Sequence, residues 1–164
     1  MQLTSPAVAS SSGGSGAAKT LPARFAMRAV PGGQNISIPY EWRDAPSETK
    51  SFALTLVDTA PIAHDWVHWA VVDVPASATG LAEGASGTGA MPDGAAELDN
   101  SFGAAGYGGP QPPAGTGTHP YVATLCALDI EHVDAPRRAS AAQLEALLAP
   151  HTLARATFTA YLGR

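Results

Sequence analysis

Two histidines and one aspartate stand in three short stretches whose side chains could form one site. Asp58 ends the apolar run "SFALTLVD", and His68 lies in the run "DWVHWAVVDVP". His119 follows a stretch rich in glycine and proline, "GYGGPQPPAGTGTHPY", which covers residues 106–121. Imidazoles and a carboxylate can hold an oxyanion by hydrogen bonds or pass a proton between them. The three stretches therefore predict a small-ligand or acid–base site if the fold brings them together.

The second stretch predicts one wall of such a site. In a strand, Trp66 and His68 project to one face, and Val67 and Trp69 to the other. A tryptophan beside a histidine supplies an apolar wall with a polar tip, as small-molecule pockets do. A lone strand histidine is more often a core or surface residue, so this stretch alone leaves both interpretations open.

The third stretch carries backbone groups suited to an anion. Gly108 and Gly109 expose their N–H groups without steric cover, and successive glycines can form a nest that binds an anion. Prolines at three positions keep the backbone of this stretch extended: Pro110, Pro112 and Pro113. His119 and Tyr121 then begin the next strand and add donors. Turn formation without ligand binding would use the same composition.

Other chemistries lack their signatures. "PPAGTG" has no lysine for a phosphate-binding loop, and a G-x-S-x-G turn is absent. Zinc-finger spacing is absent too, so Asp58, His68 and His119 would form a metal site only if the fold grouped them. We therefore expect neither a metal nor a cofactor. In "VDTAP", Asp58 could also serve only as the acceptor of a turn.

Composition sets the class of protein. The 164 residues fit one domain, and 45% hydrophobic with 14% charged residues excludes a disordered chain. The net charge of −5 argues against nucleic acid as a partner. The one cysteine, Cys126, excludes an intramolecular disulfide and is expected in the core. The N-terminus lacks a secretory pattern, so a cytoplasmic location is expected.

Strands dominate the predicted elements, with one helix. The predicted strands are "ARFAMRAV", "NISIPYEW", "SFALTLVD", "DWVHWAVVDVP", "YVATLCALDI" and "RATFTAYL". Ser140 and Gln143 form a capping box before a helix that Pro150 stops. The fold class is mainly β: an antiparallel sheet or Greek-key sandwich with one or two short helices.

Three further predictions concern the organisation of the chain. Residues 1–17 read as a flexible Ser/Gly/Ala-rich tail, although an edge strand within it stays open, and residues 18–164 as a single domain. The connection over residues 75–120 holds Phe102 and Tyr107, and these aromatics predict an ordered, packed loop.

The order of these stretches resembles the phosphatidylethanolamine-binding protein family in its bacterial form, related to Raf kinase inhibitor protein. The matching pieces are "SFALTLVDTAP", "DWVHWAVVDVPA", "LAEG", "NSFGAAGYGGPQPPAGTGTHPYVATLCALD" and "SAAQLEALLAPHTLARATFTAYLGR". They cover most of residues 50–164, whereas the N-terminal third matches only loosely. The resemblance implies a large antiparallel sheet, a second smaller sheet and few helices.

The resemblance also implies a pocket for phosphate-like anions. Its residues would be Asp58, Trp66, His68, Gly109, Pro110, Pro113, His119 and Tyr121. Two departures stand out. The family's Asp-Pro-Asp-Ala-Pro loop is "VDTAP" here, so one acid at most is carried over, with Asp58 or Thr59 in the acidic position. Pro120 stands where relatives often have an arginine, which implies weaker anion binding or a neutral ligand.

Two functions follow from these observations. We favour a non-catalytic, regulatory protein that binds a phosphate-like anion or a phospholipid headgroup. The alternative is an enzyme in which His68, His119 and Asp58 perform acid–base chemistry, such as dehydration, isomerisation or cyclisation of a small molecule. A kinase or protease partner is expected by analogy alone. A homodimer stays open, because exposed aromatic residues near the pocket could pack across it.

Overall fold

Two antiparallel sheets pack against each other in a computed structural model, which describes residues 1–8 and 19–164. The strands are β1 (Gln2–Thr4), β2 (Tyr40–Arg43), β3 (Ser51–Asp58), β4 (Trp66–Pro75), β5 (Gly80–Leu81), β6 (Ala96–Glu97), β7 (Thr118–Leu128) and β8 (Thr152–Gly163), and the helix is α1 (Ala141–Leu148). The larger sheet has the strand order β6-β4-β3-β7-β8, and the smaller sheet the order β1-β2-β5. The predicted mainly β fold class is confirmed.

The central strands β3 and β4 are buried along most of their length because both faces of the larger sheet are covered. One face packs against the smaller sheet through a core that includes Phe52, Leu54 and Trp69. The other face carries a second core, which includes Cys126 and lies under α1. Burial raises the pKa of the Cys126 thiol. The two cores thus cover both faces of the sheet whose strands carry the predicted site residues.

The helix begins at the predicted cap. The Ser140 hydroxyl accepts from the N–H of Gln143, and the Gln143 side chain accepts from the N–H of Ser140. Leu144 and Leu148 are buried against the sheet, and Pro150 lies in the short 3-10 turn that follows. Among the described residues, no helix is long and apolar enough to cross a membrane.

The prediction for the N-terminal third is wrong in two places. "ARFAMRAV" forms no strand: residues 23–25 make a 3-10 turn that buries Phe25, and further turns follow. Of "NISIPYEW", only Tyr40 onward is strand. Positive φ angles at Gly32 and Asn35 interrupt extended backbone, so this segment packs as a covering layer. Apolar residues can alternate with polar ones in such a layer as they do in a strand, and this alternation is why the segment was predicted to be a strand.

The first residues form the edge strand that the sequence left open. Gln2–Thr4 pairs antiparallel with β2. Residues 5–8 continue as a turn that buries Val8, and the remaining residues of the predicted tail, 9–17, lie outside the described part of the chain.

A β-bulge interrupts β4 at the predicted site. Leu56 pairs with Trp69 and Val57 pairs with Val67, so His68 is an extra residue on β4. Simple alternation therefore fails here: Trp69 packs in the core between the sheets, whereas Val67 packs in the core under α1. The expectation that these two residues share a face is wrong, because the bulge turns the strand between them.

The segment before β7 is ordered and docks on the N-terminal layer. Tyr107 is buried, and its hydroxyl donates to the carbonyl of Phe25 at 2.8 Å. The N–H of Met27 donates to the carbonyl of Pro110 at 3.0 Å. Phe102, in contrast, is not packed inside: 41% of its surface is exposed.

Substituting Gly109 by alanine should destabilise the protein. A Cβ at Gly109 would clash with the carbonyl oxygen of Phe25 and would lie 2.8 Å from the backbone nitrogen of Met27. Because backbone cannot move aside as a side-chain end can, we expect a loss of about 2 kcal/mol or more in the free energy of unfolding. Urea denaturation measures it, with the exposed substitution Ala114→Ser as control; equal stability of the two variants would contradict the close docking.

Candidate functional site

A cavity of about 600 Å³ lies at the end of the larger sheet where β3, β4 and β7 meet the glycine- and proline-rich segment. Five of the predicted site residues line it: Asp58, Trp66, His68, Pro113 and His119. A larger groove, of about 1030 Å³, runs along the smaller sheet. That groove contains no histidine, and its arginine, Arg43, already binds the side chain of Gln2. The smaller cavity is therefore the candidate functional site.

Asp58 and His119 form a buried pair on the cavity floor. Oδ2 of Asp58 lies 2.7 Å from Nδ1 of His119, and Oδ1 accepts from the N–H of Ala60 at 2.9 Å. The aspartate thus makes the predicted turn and also orients the imidazole. Thr59, the other candidate for the acidic position, is exposed and does not line the cavity. Of these two residues, only Asp58 lines the cavity.

A row of hydrogen bonds continues from His119. Nε2 of His119 lies 2.9 Å from the hydroxyl of Thr116, and that hydroxyl lies 2.7 Å from the carbonyl of Pro113. Both ends of the row, the Asp58 carboxylate and this carbonyl, are acceptors. When Thr116 donates to Pro113, His119 must donate from both nitrogens. The charge of the imidazole is thereby linked to the direction of one hydroxyl.

His68 is held in one tautomer. Its Nδ1 lies 2.6 Å from the carbonyl oxygen of Gly108, which can only accept, so Nδ1 carries the proton. Burial lowers the pKa of His68, although the Gly108 carbonyl and the Asp58 carboxylate act in the opposite direction. The imidazole is therefore neutral near pH 7, and its Nε2 presents a lone pair.

Tyr121 lies behind the cavity rather than on its lining. Its ring stacks on His119 with the ring centroids 6.4 Å apart and meets the His68 ring at 5.3 Å. The hydroxyl is buried without a hydrogen-bond partner among the described residues. Burial raises the pKa of Tyr121. In this structure the tyrosine supports the two imidazoles, and direct contact with a ligand stays a prediction.

The glycine N–H groups do not form the anticipated nest. The N–H of Gly108 donates to the carbonyl of His68 at 2.8 Å, and that of Gly109 donates to Oδ1 of Asn35 at 2.7 Å. Both donors are used to fix the segment, and Gly109 and Pro110 do not line the cavity. The segment contributes an apolar wall through Pro112 and Pro113 instead.

Apolar side chains surround the mouth of the cavity. Three lining residues are large, apolar and well exposed: Ile62 at 57%, Phe102 at 41% and Trp66 at 38%. The rings of Trp66 and Phe102 meet edge to face at 5.3 Å. Sequence reasoning missed Ile62 and the role of Phe102; an aromatic residue in a glycine-rich loop was the available signal. An apolar mouth over a polar floor suits an amphipathic ligand.

The lining is poor in positive charge. Its described residues include Asp58 and Asp65 but neither lysine nor arginine. Pro120 does not line the cavity. Residues 1–8 and 19–164 contain no cluster of three His, Cys, Asp or Glu side chains that could hold a metal ion.

The fold and this site define a member of the phosphatidylethanolamine-binding protein family, to which the chain belongs: the family model of that description matches residues 12–163. The chain is 45% identical over 130 residues to the protein YbhB of Escherichia coli K12, covering 78% of this chain and 82% of that protein. It is 38% identical over 131 residues to YbcL of the same organism, covering 77% of this chain and 71% of that protein.

Solved structures agree with this assignment. The crystal structure of E. coli YbcL, described as a member of the mammalian family, superposes with a TM-score of 0.86 at 31% identity, covering 99% of this chain and 98% of that one. The predicted family is confirmed. The cytoplasmic location, the kinase or protease partner and the homodimer stay predictions.

The neutral state of His68 should make the protein sensitive to acid. Because the folded-state pKa is lowered, the unfolded chain binds a proton below about pH 6.5 that the folded chain does not. Stability is therefore lost as the pH falls below that value, by up to about 1.4 kcal/mol per pH unit. Urea unfolding between about pH 5 and pH 8 should show a shallower loss for His68→Gln than for the wild type.

The matched control is His64→Asn. His64 is exposed, and its backbone φ of 50° is one that asparagine tolerates. This variant should keep the pH dependence of the wild type. If His68→Gln also kept it, the burial of an uncharged imidazole would be contradicted.

Proposed function

We propose that the chain binds a small ligand with a phosphate-like acid group in this cavity, and that it acts as a binding protein of regulatory rather than catalytic function. The observation that carries the proposal is the buried Asp58–His119 pair beside the neutral His68, under an apolar mouth. The polar groups can hold an acid headgroup, and the exposed rings can contact the apolar part attached to it. A soluble phosphomonoester and a phospholipid headgroup share this chemistry.

Donors for the oxygens of the acid group are available on the lining. Ser101 accepts from the N–H of Val67 at 2.9 Å, which leaves its hydroxyl proton for a ligand. The exposed Gln111 adds a side-chain amide. His119 adds positive charge when it donates from both nitrogens, and this compensates Asp58. Because these donors are few and lack a permanent cation, we expect modest affinity.

The hydrogen bond between Nε2 of His119 and the Thr116 hydroxyl favours a binding function over a catalytic one. Nε2 of His119 is the nitrogen that would move a proton, and Thr116 already contacts it at 2.9 Å. In catalytic dyads that nitrogen faces the reacting atom. The family's description names a phospholipid, which is consistent with a headgroup as the source of the acid.

Replacing His119 should weaken ligand binding. His119→Gln removes the imidazole that compensates Asp58, so the carboxylate then repels an anion; we expect at least a tenfold lower affinity. Calorimetric titration with phenyl phosphate measures this, and inorganic phosphate, which cannot contact the apolar mouth, should bind more weakly than phenyl phosphate.

The control variant is His132→Gln. His132 forms the same kind of pair, with Nδ1 at 2.6 Å from Oδ2 of Asp73, but it does not line the cavity. Its substitution should leave the affinity unchanged. Equal binding heats for the wild type and His119→Gln would contradict the proposed function.

Acid–base catalysis on a small molecule is a second candidate, favoured by one observation. The 2.7 Å contact between Asp58 and His119 is the geometry of a base held by an orienting carboxylate, and neutral His68 lines the same cavity. Dehydration, isomerisation or cyclisation would suit such a pair. In a substrate screen, turnover should depend on His68; a turnover that His68→Ala leaves unchanged excludes this mechanism.

A further inference from the structure

We infer that the cavity selects its acid ligand in a protonated form, in which a ligand hydroxyl donates a hydrogen bond to Nε2 of His68. The inference rests on the proposed function and adds to it the protonation state of the ligand. A fully ionised acid group offers only acceptors, whereas a half-ionised phosphomonoester offers one donor and two acceptor oxygens.

The first support is the fixed orientation of His68. Its Nδ1 donates to the carbonyl of Gly108, while its own carbonyl accepts from the N–H of Gly108. A flip of the ring about its Cβ–Cγ bond would place Cδ2 against the Gly108 carbonyl and break the first bond. Among the described residues, Nε2 makes no hydrogen bond, and His68 lines the cavity. An acceptor is therefore available to the ligand at this point.

The second support comes from the groups around His68, which leave it uncharged. Asp58 on β3 favours its protonation, but this carboxylate is already bound to His119 and to the N–H of Ala60. From β7, His119 opposes a second charge, and Tyr121 presents its ring. The carbonyls of Gly108 and Gly109 favour the charge, and Phe102 adds an apolar ring. His64 and Asp65, both exposed, also line the cavity. Burial outweighs the favourable contributions.

The third support is the charge of the lining. Asp58 and Asp65 face the cavity, and the described lining residues include no lysine or arginine. A dianion would meet two carboxylates without a fixed cation. A monoanion with one hydroxyl reduces this repulsion and satisfies Nε2 at the same time. The acceptor and the missing cation thus favour the same form of the ligand.

A matched pair of ligands tests the inference. Phenyl phosphate loses its last proton near about pH 6, whereas phenyl sulfate has the same shape and stays a monoanion without a donor. At about pH 5 both are monoanions, and we expect phenyl phosphate to bind at least tenfold more tightly. Its affinity should fall about tenfold per pH unit well above pH 6 as the donor is lost.

The outcomes separate the inference from the proposed function. Equal affinity of both ligands at low pH would mean that the protein supplies the donor; it overturns the inference and leaves anion binding standing. Binding of neither ligand overturns both. Binding of phenyl phosphate alone, with the stated pH dependence, supports both.

Nitrogen NMR of the histidine-labelled wild-type protein tests the same point without a mutation. At about pH 7 the His68 ring should have a protonated Nδ1 and a bare Nε2, and Nε2 should shift on addition of phenyl phosphate. A proton on Nε2 of the free protein would overturn the inference.

Discussion

Two hydrogen bonds between His68 and Gly108 join the larger sheet to the wall of the cavity. One runs from the imidazole to the Gly108 carbonyl at 2.6 Å, and the other from the Gly108 N–H to the His68 carbonyl at 2.8 Å. The strand end, the tautomer of the imidazole and the path of the glycine- and proline-rich segment all depend on this pair. The β-bulge makes it available, because it adds His68 as an extra, unpaired residue near the start of β4.

The sequence predicted the strands and the helix whose positions are set by hydrophobic periodicity and by helix capping. Four of the six expected strands and the helix after Ser140 form where the patterns placed them, because burial on both faces and a capping box are local signals. Five of the eight expected site residues line the cavity. That grouping followed from the family resemblance, since spacing alone cannot bring three distant stretches together.

The features that the sequence did not predict depend on tertiary contacts. The bulge at His68 appears only in the pairing of β3 with β4. The turn at residues 23–25 differs from a strand through backbone angles that its alternating residues do not reveal. Gly108 and Gly109 were expected to offer N–H groups to a ligand, but Asn35 and the His68 carbonyl take them. A glycine-rich sequence indicates a backbone with wide conformational freedom. It does not indicate which acceptor the glycine N–H groups will bind.

The attachment of the cavity wall to the N-terminal layer has a consequence for how selectivity can change. Asn35 holds Gly109, and Met27 holds Pro110, although neither residue lines the cavity. A substitution in this layer can therefore move the proline wall relative to the imidazoles while every lining side chain stays the same. Two relatives with identical pocket residues could then accept ligands of different width. Comparing pocket residues alone would miss that difference, since the position of the wall is encoded in a segment far from it in the sequence.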